Sequence, residues 1–154
     1  MSSEEETLRR LAVELQILEG SANAIQSRIN FVNAALTELK VANITLEGMD
    51  KEKEEASLFV PIGGGSYVKA KLESTKTVTV GIGAGVAIER TINEAKENLE
   101  KRIADLEKMR TTLQQQLTQV LEKIQDGRSI FQELSSKLSR VEPPRDVRKA
   151  KKRT

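Results

Sequence analysis

The stretch TVTVGIGAGVAIERTINEA, residues 77–95, decides the fold because it fits two incompatible structures. An alternating apolar run leads into Gly81, Gly83 and Gly85, and a helix-like sequence follows. A strand, a glycine-rich turn and a helix in this order also describe the phosphate-binding loops of nucleotide enzymes. The same residues equally describe a tight turn between two strands, so the spacing of the glycines has to separate the two interpretations.

The glycine spacing favours the turn. The dinucleotide-binding fingerprint is G-x-G-x-x-G within a βαβ unit, whereas the spacing here is G-x-G-x-G and Val86 stands where the third glycine belongs. No strand-like segment follows the long helical pattern after residue 90. The GGGS at residues 63–66 lacks the Gly-Lys that completes a P-loop. We therefore expect hairpin turns, where glycine adopts positive φ at little cost, and no nucleotide or other cofactor.

Two β-hairpins are predicted over residues 57–89. SLFVPI and YVKAKL flank the first glycine turn, and TVTVGI and VAIE flank the second. Pro61 has no amide hydrogen and therefore belongs at a sheet edge or a bulge. Hairpins of this length are marginal in isolation, and exposed strand edges invite pairing with other chains. The sequence thus predicts an oligomer assembled through this segment.

A heptad repeat precedes the hairpins, with apolar residues alternately three and four positions apart. Such a repeat keeps one stripe facing a partner helix in a left-handed coiled coil. Ser2 and Ser3 stand three residues before Glu5 and Glu6, the pattern of a helix N-terminus, and Gly48 is expected to end the helix. The stripe consists of Leu8, Leu11, Leu15, Leu18, Ala22, Ile25, Ile29, Val32, Leu36 and Leu39, and Asn43 and Leu46 continue its register.

A second heptad repeat follows the hairpins and ends before Pro143 and Pro144. Lys96, Arg110 and Gly127 are its exceptions to apolar side chains. Lys96 and Arg110 allow two interpretations, a polar residue that fixes the register of the seam or a long side chain that carries its charge out of it. The repeat consists of Ile92, Lys96, Leu99, Ile103, Leu106, Arg110, Leu113, Leu117, Val120, Ile124, Gly127, Phe131, Leu134 and Leu138.

Two helices of similar length in one chain most simply fold back on each other. We predict a mainly helical α+β fold, a long antiparallel coiled-coil hairpin with two β-hairpins at the end opposite the chain termini. Residues 1–141 form a single domain in this prediction. Its parts are an N-terminal helix over 1–48, the hairpins over 57–89 and a C-terminal helix over 90–141.

Composition excludes several kinds of function. Among 154 residues there is no Cys and no His, so zinc sites with thiolate or imidazole ligands, Cys nucleophiles and His general bases are impossible. The carboxylates lie along solvated helix faces, and we expect neither a metal site nor an enzyme. The stretch MSSEEETLRR lacks the basic and apolar regions of a signal peptide, and no apolar run is long enough to cross a bilayer. We therefore expect a cytoplasmic protein without membrane contact.

The last residues are basic. Residues 141–154 contain six Lys or Arg against one Glu and one Asp, a local charge of +4. Residues 142–154 are predicted to form a disordered tail, with contact to an acidic protein as the alternative. Nucleic acid is not expected as a partner, since the tail has neither an aromatic platform nor a recognition helix.

The order of elements resembles the prefoldin family. LFVPIGGGSYVKAKL and TVTVGIGAGVAIE stand between two long helices, and the second helix opens with ERTINEAKENLEKRI. The two hairpins correspond to the alpha-class subunit of archaeal type, since the beta class carries one hairpin. The resemblance extends from about Glu4 to Val141 and is strongest in the hairpins.

This resemblance implies an ATP-independent chaperone that holds non-native polypeptides and delivers them to a group II chaperonin. It implies a hetero-hexamer of two alpha-class and four beta-class subunits, joined through the hairpins, with clients held at the coiled-coil tips. The assembly residues would be Phe59, Val60, Ile62, Tyr67, Val68, Val78, Val80, Ile82, Val86 and Ile88. The client-binding tip would contain Leu8, Leu11, Leu15, Phe131, Leu134, Leu138 and Val141.

Two alternatives stay open at this point. Phe131 is the only aromatic residue of the second repeat, and it either contacts clients or simply closes the coiled coil. The whole chain is either a chaperone subunit or a structural coiled-coil spacer or filament subunit that binds one fixed partner. The breadth of clients distinguishes these two functions.

Overall fold

The computed structural model describes residues 2–141 and contains two long helices with four strands between them. The predicted class, long helices flanking two β-hairpins, is confirmed. The basic tail predicted over residues 142–154 lies outside the described residues. In chain order the elements are α1 (Ser3–Lys51), β1 (Ser57–Gly63), β2 (Ser66–Lys71), β3 (Thr77–Gly83), β4 (Val86–Thr91) and α2 (Ile92–Val141).

Both helices begin next to a capping side chain. Ser2 precedes α1, and its Oγ accepts a hydrogen bond from the Glu5 amide at 3.3 Å. Thr91 precedes α2, and its Oγ1 accepts a bond from the Glu94 amide at 3.2 Å. The Thr91 amide in turn donates to Glu94 Oε2 at 3.2 Å, which completes a reciprocal capping box. This box lets β4 pass directly into α2 without a loop.

The chain divides into two compact units. The first, called here the terminal unit, comprises residues 2–27 and 114–141 of the described chain. The second, the hairpin unit, is Arg28–Leu113 and contains all four strands. Each unit therefore contains one part of α1 and one part of α2.

In the hairpin unit the two helices are antiparallel. Lys40 Nζ lies 3.4 Å from Glu107 Oε1, and Lys96 Nζ lies 3.5 Å from Asp50 Oδ2. The position later in α1 thus faces the position earlier in α2. The side chains of both pairs are largely exposed or reach the surface, so each pair contributes little to stability and serves mainly to report the register.

The heptad spacing predicted which side chains lie between the helices. Every position of both repeats is buried or half-buried within its own unit. In the hairpin unit the buried side chains include Leu36, the least exposed of them at 2%. The buried apolar residues of that unit are Ile29, Val32, Leu36, Leu39, Ile92, Ala95 and Leu113. In the terminal unit only Ala22, Ile124 and Gly127 are buried.

Both charged exceptions in the second repeat contact the facing helix. Lys96 reaches Asp50, and Arg110 Nη1 lies 3.5 Å from Asn33 Oδ1. Both residues are half-buried, and the charged end of each side chain has a partner on α1. This arrangement combines the two predicted roles, because a long side chain that leaves the seam still marks one register of the helices.

The first helix is longer than the sequence suggested. We expected Gly48 to end it, but α1 continues through Gly48 to Lys51. The added turn keeps the register of the seam, since Asp50 lies one heptad after Asn43 and pairs with Lys96. A glycine in an exposed helical position is unfavourable but does not stop a helix that is stabilised by packing at this point.

The two β-hairpins have the same register. In each, the strands pair antiparallel with one bulge just before the turn, between Pro61 and Gly63 in the first and between Gly81 and Gly83 in the second. Pro61 lies beside this bulge in a two-stranded sheet, a position where a missing amide hydrogen is tolerated. Corresponding residues stand 20 positions apart, Ser57 with Lys71 in one hairpin matching Thr77 with Thr91 in the other.

The backbone conformation of the two hairpin turns explains why glycines stand there. Gly64 and Gly65 form the first turn with φ of 57° and 74°, and Ala84 and Gly85 form the second with φ of 52° and 74°. Positive φ at both central positions is the pattern of a two-residue hairpin turn, which matches the twist of the strands. Of these four turn residues only Ala84 carries a Cβ, and positive φ brings that Cβ into steric strain.

Candidate assembly surface and client-binding end

Most residues predicted to join subunits are exposed in the single chain. The two hairpins are separate two-stranded sheets, so each strand has one edge without a partner among the described residues. Exposed are Phe59, Val60, Ile62, Tyr67, Val68, Ile82 and Val86, whereas Val78, Val80 and Ile88 are half-buried. In soluble proteins, a contiguous patch with this many exposed apolar side chains is typical of a surface to which another protein binds.

The two hairpins differ in how many of their faces are apolar. In β1 and β2, Val60 lies opposite Val68 on one face, and the Phe59 and Tyr67 rings meet edge to face at 6.4 Å between centroids. Successive strand residues point to opposite faces, so both faces of this hairpin carry apolar side chains. We name the two hairpins hairpin 1 (Ser57–Lys71) and hairpin 2 (Thr77–Thr91).

Hairpin 2 has one apolar and one polar face. Val80 lies opposite Ile88, while the neighbouring pair, Thr79 opposite Glu89, points to the other side. Only one of its faces therefore needs a cover, whereas both faces of hairpin 1 do. This difference was visible in the sequence, because Leu58, Phe59 and Val60 are apolar on successive positions.

An open groove runs between hairpin 2 and the start of α2. Its floor is apolar, formed by side chains of the strands together with Ala95, and charged residues surround it. The groove encloses about 400 Å³ and lies wholly within the hairpin unit. Its lining includes Val80, Ile82, Ile88, Arg90, Glu94, Ala95, Asn98 and Lys101.

The residues predicted to hold clients lie in the terminal unit and belong to its seam. Leu8, Leu11 and Leu15 of α1 and Phe131 of α2 are half-buried rather than exposed. Leu134 and Leu138 are half-buried too, and only Val141 is exposed, at 74%. The half-burial of Phe131 fits a residue that closes the coiled coil, and leaves part of its ring accessible.

Sequence reasoning missed a second apolar stripe on α1. In the terminal unit Val13 and Ile17 are more than half exposed, and in the hairpin unit Phe31 is 78% exposed. Val13 and Ile17 are four positions apart, and Phe31 follows Ile17 by two heptads, so all three lie on the side of α1 away from the seam. The signal was present in the sequence, yet a helix with two apolar stripes does not reveal which one faces its partner.

The positions of α2 opposite its seam are polar, among them Glu94, Lys101, Asp105 and Glu122. Beside them α2 also exposes three large apolar side chains, Met109, Leu121 and Ile130. Along the described part of the chain, no group of three or more acidic side chains could hold a metal ion. None of the helices described is both long enough and apolar enough to span a membrane.

Comparison with known proteins identifies the fold and the family. The Prefoldin family profile, described as "Prefoldin subunit", matches residues 18–137. Prefoldin subunit alpha of Pyrococcus horikoshii is 31% identical over 140 residues, which cover 90% of this chain and 95% of that protein. Prefoldin subunit alpha of Methanopyrus kandleri is 37% identical over 113 residues, covering 73% of this chain and 72% of its own.

Solved structures give the same result for the fold. A chain of filamentous PFD from Methanocaldococcus jannaschii has a TM-score of 0.63 and 24% identity, covering 72% of this chain and 92% of that one. The prefoldin beta subunit from Thermococcus strain KS-1 has a TM-score of 0.56 and 17% identity, covering 90% of this chain and 95% of its own. With its matching profile and its archaeal alpha-subunit relatives, this chain belongs to the prefoldin family of chaperone-type subunits.

Proposed function

We propose that this chain is the alpha-class subunit of an ATP-independent holdase chaperone. In this proposal it assembles with beta-class prefoldin subunits, as two copies with four, through the exposed apolar residues of hairpins 1 and 2. Non-native polypeptides bind at the terminal unit and pass to a group II chaperonin in the cytoplasm. The chain has no catalytic role, and its glycine turns hold no nucleotide.

One observation carries the assembly part of the proposal. Seven of the ten residues predicted to join subunits are exposed in the single chain, on two small sheets that have free edges. Two-stranded sheets of this size are marginal in water unless other strands or helices cover them. A neighbouring subunit that adds strands would bury Val60, Ile82 and their neighbours and satisfy the edge amides at the same time.

The client-binding part is supported by the loose packing of the terminal unit. Its seam contains apolar side chains that are only half-buried, including Leu8 and Phe131. Partly exposed apolar side chains bind unfolded segments weakly and without sequence preference. Several subunits in one assembly would turn such weak contacts into useful avidity.

Native mass measurement tests the assembly. The purified chain and a beta-class partner are measured separately and after mixing, and mixing is expected to give one closed species of defined mass. A ladder of increasing masses from this chain alone would instead favour the structural filament subunit. No association under any condition would overturn the assembly proposal.

Client breadth tests the chaperone activity. Several chemically unrelated proteins are denatured and diluted into buffer with or without the assembled complex, and light scattering follows their aggregation. Suppression is expected for most of them without added nucleotide. Adding a group II chaperonin with ATP should then release folded protein, and failure of this second step alone would remove chaperonin delivery from the proposal.

A further inference from the structure

The free edges of the four strands are not equivalent, although the two hairpins share one register. The Leu72 amide donates to the Ala56 carbonyl at 2.9 Å at the base of hairpin 1, and the Ile92 amide donates to the Lys76 carbonyl at 3.1 Å at the base of hairpin 2. Along an antiparallel pair, the backbone groups of successive residues face the paired strand and the free edge alternately. In both hairpins, up to the bulge, even-numbered residues therefore face the paired strand and odd-numbered residues face the free edge.

The second strand of each hairpin has a charged edge. β2 carries Lys69 and Lys71 at positions that face its free edge, and β4 carries Glu89 at such a position. The next edge-facing residue of β4, Thr91, already donates its amide to Glu94 Oε2 at 3.2 Å. Charged side chains on an edge strand disfavour the addition of another strand. The first strands, β1 and β3, contain no charged residue and are better suited to receive one.

One residue distinguishes β1 from β3. The two strands carry nearly the same sequence before their turns, VPIG at residues 60–63 and VGIG at residues 80–83. Pro61 and Gly81 hold equivalent places in the register, and both face the free edge. Only Gly81 has an amide hydrogen to donate there. Nothing lies within 4 Å of a Cβ built on Gly81, so the backbone is accessible at this position.

β3 consequently presents a complete row of edge-facing amides on an uncharged strand. These amides belong to Thr77, Thr79 and Gly81, and none of them has an acceptor among residues 2–141. In β1 the corresponding row ends at Phe59, because Pro61 has no donor. A strand added to β3 would satisfy all three donors and enlarge a two-stranded sheet, which is marginal on its own.

We propose that hairpin 2 accepts a strand of a beta-class subunit at the free edge of β3, and that the Gly81 amide is part of this contact. The inference rests on the proposed assembly with beta-class subunits. The number of hairpins supports this occupant, because two copies of this chain bring four hairpins and four beta-class subunits bring four more. Each hairpin of this chain can then meet one hairpin of a partner.

Gly81→Pro tests the proposal by removing one edge-facing amide hydrogen. The substitution converts VGIG into VPIG, and hairpin 2 should still fold because hairpin 1 carries Pro61 in the same register. We expect the dissociation constant for the beta-class partner to rise about tenfold, the factor that corresponds to one buried hydrogen bond left unmade. Native mass measurements over a dilution series give this constant.

Gly81→Ala is the matched control. It keeps the amide hydrogen and places its Cβ in open space, so we expect the dissociation constant to change by less than about twofold. Equal binding by Gly81→Pro and Gly81→Ala would overturn the assignment of β3 and leave the proposed assembly intact. If the wild-type chain does not bind the beta-class partner at all, the proposed assembly fails and the inference fails with it.

Amide exchange of the wild-type chain gives a second measurement that needs no substitution. The isotope-labelled chain is measured alone and with the unlabelled beta-class partner. The amides of Thr77, Thr79 and Gly81 are expected to exchange about tenfold more slowly or less in the complex. Unchanged exchange at these three amides would overturn the proposal. Slow exchange in the chain alone, together with the native mass of two copies, would place a second copy at β3 and overturn the proposed occupant.

Discussion

The terminal unit and the hairpin unit use the same heptad pattern but close it to different degrees. In the hairpin unit six of the thirteen seam positions are buried, among them Val32 and Leu36, whereas three of the thirteen seam positions of the terminal unit are buried. Equal patterning therefore does not imply equal packing. We propose that the two units have different roles, in which the hairpin unit provides the assembly surface and the terminal unit retains apolar surface for clients.

Truncating one seam leucine in each unit should give the largest contrast. Leu36→Ala removes a side chain that is 2% exposed, and we expect it to lower the free energy of unfolding by about 2–5 kcal/mol. Leu134→Ala removes a half-buried side chain and should cost roughly half as much, since part of its surface already faces water. Urea unfolding followed by circular dichroism measures both. Equal losses would show that the two seams are equally closed.

The second prediction concerns the turn of hairpin 2. Gly85 has a φ of +74°, and Gly85→Val places a β-branched residue in that conformation at a cost of about 1–2 kcal/mol or more. We expect weaker strand pairing and loss of assembly with the beta-class partner in native mass measurements. Gly81→Val is the control for strand pairing, because Gly81 is outside the left-handed region and has open space around it. If Gly85→Val assembled normally, hairpin 2 would not belong to the assembly surface.

A third prediction concerns the polar interruption of the hairpin unit seam. Asn43 Oδ1 is buried and has no hydrogen-bond partner among the described residues. Asn43→Leu should remove this cost and raise the free energy of unfolding by about 1–3 kcal/mol. Such a gain would increase the difference in stability between the two units, because it would arise in the seam that is already the better buried one. A drop in thermal midpoint would indicate that Asn43 stabilises the pairing of the helices.

The smallest expected effects come from a reciprocal exchange between the two turns. Ala84 and Gly64 occupy the same turn position with φ of 52° and 57°. Ala84→Gly should stabilise hairpin 2, and Gly64→Ala should destabilise hairpin 1, each by about 1 kcal/mol. Neither position is crowded, since nothing lies within 4 Å of a Cβ at Gly64. The exchange rates of backbone amides in the two hairpins measure these changes in stability. If both substitutions changed the stability of their hairpin in the same direction, positive φ would not explain the residues at the turns.

Much of the fold followed from spacing alone. A repeat of 3.5 residues predicts one facing stripe, and burial of every repeat position within its unit confirmed it. The start of α2 could also have been predicted, because Thr91 and Glu94 have the spacing of a capping box, although this signal was not used above. The continuation of α1 through Gly48 could not be predicted from the sequence, since packing against a partner helix can outweigh the low helix propensity of a single glycine.

The candidate sites were harder to predict than the fold. Alternation in hairpins 1 and 2 identified apolar residues that proved exposed, among them Ile82 and Val86. At the terminal unit, however, a list of seam residues cannot reveal how tightly the seam closes. The close approach of Leu15 to Gly127, where an added Cβ would lie 2.8 Å from Leu15 Cδ2, cannot be predicted from the repeat. The exposed Ile17 was missed because periodicity gives spacing and not the identity of the covering partner.

The most direct test of the division of labour compares two variants of the assembled complex. One replaces Leu8, Phe131 and Leu134 by Ser in the terminal unit, and the other replaces Val80 and Ile82 by Ser in hairpin 2. Native mass and suppression of client aggregation are measured for both. We predict that the first variant keeps the native mass of the wild-type complex and loses suppression, and that the second loses the native mass. A first variant that assembles and still suppresses the aggregation of unrelated clients would contradict the assignment of client binding to the terminal unit.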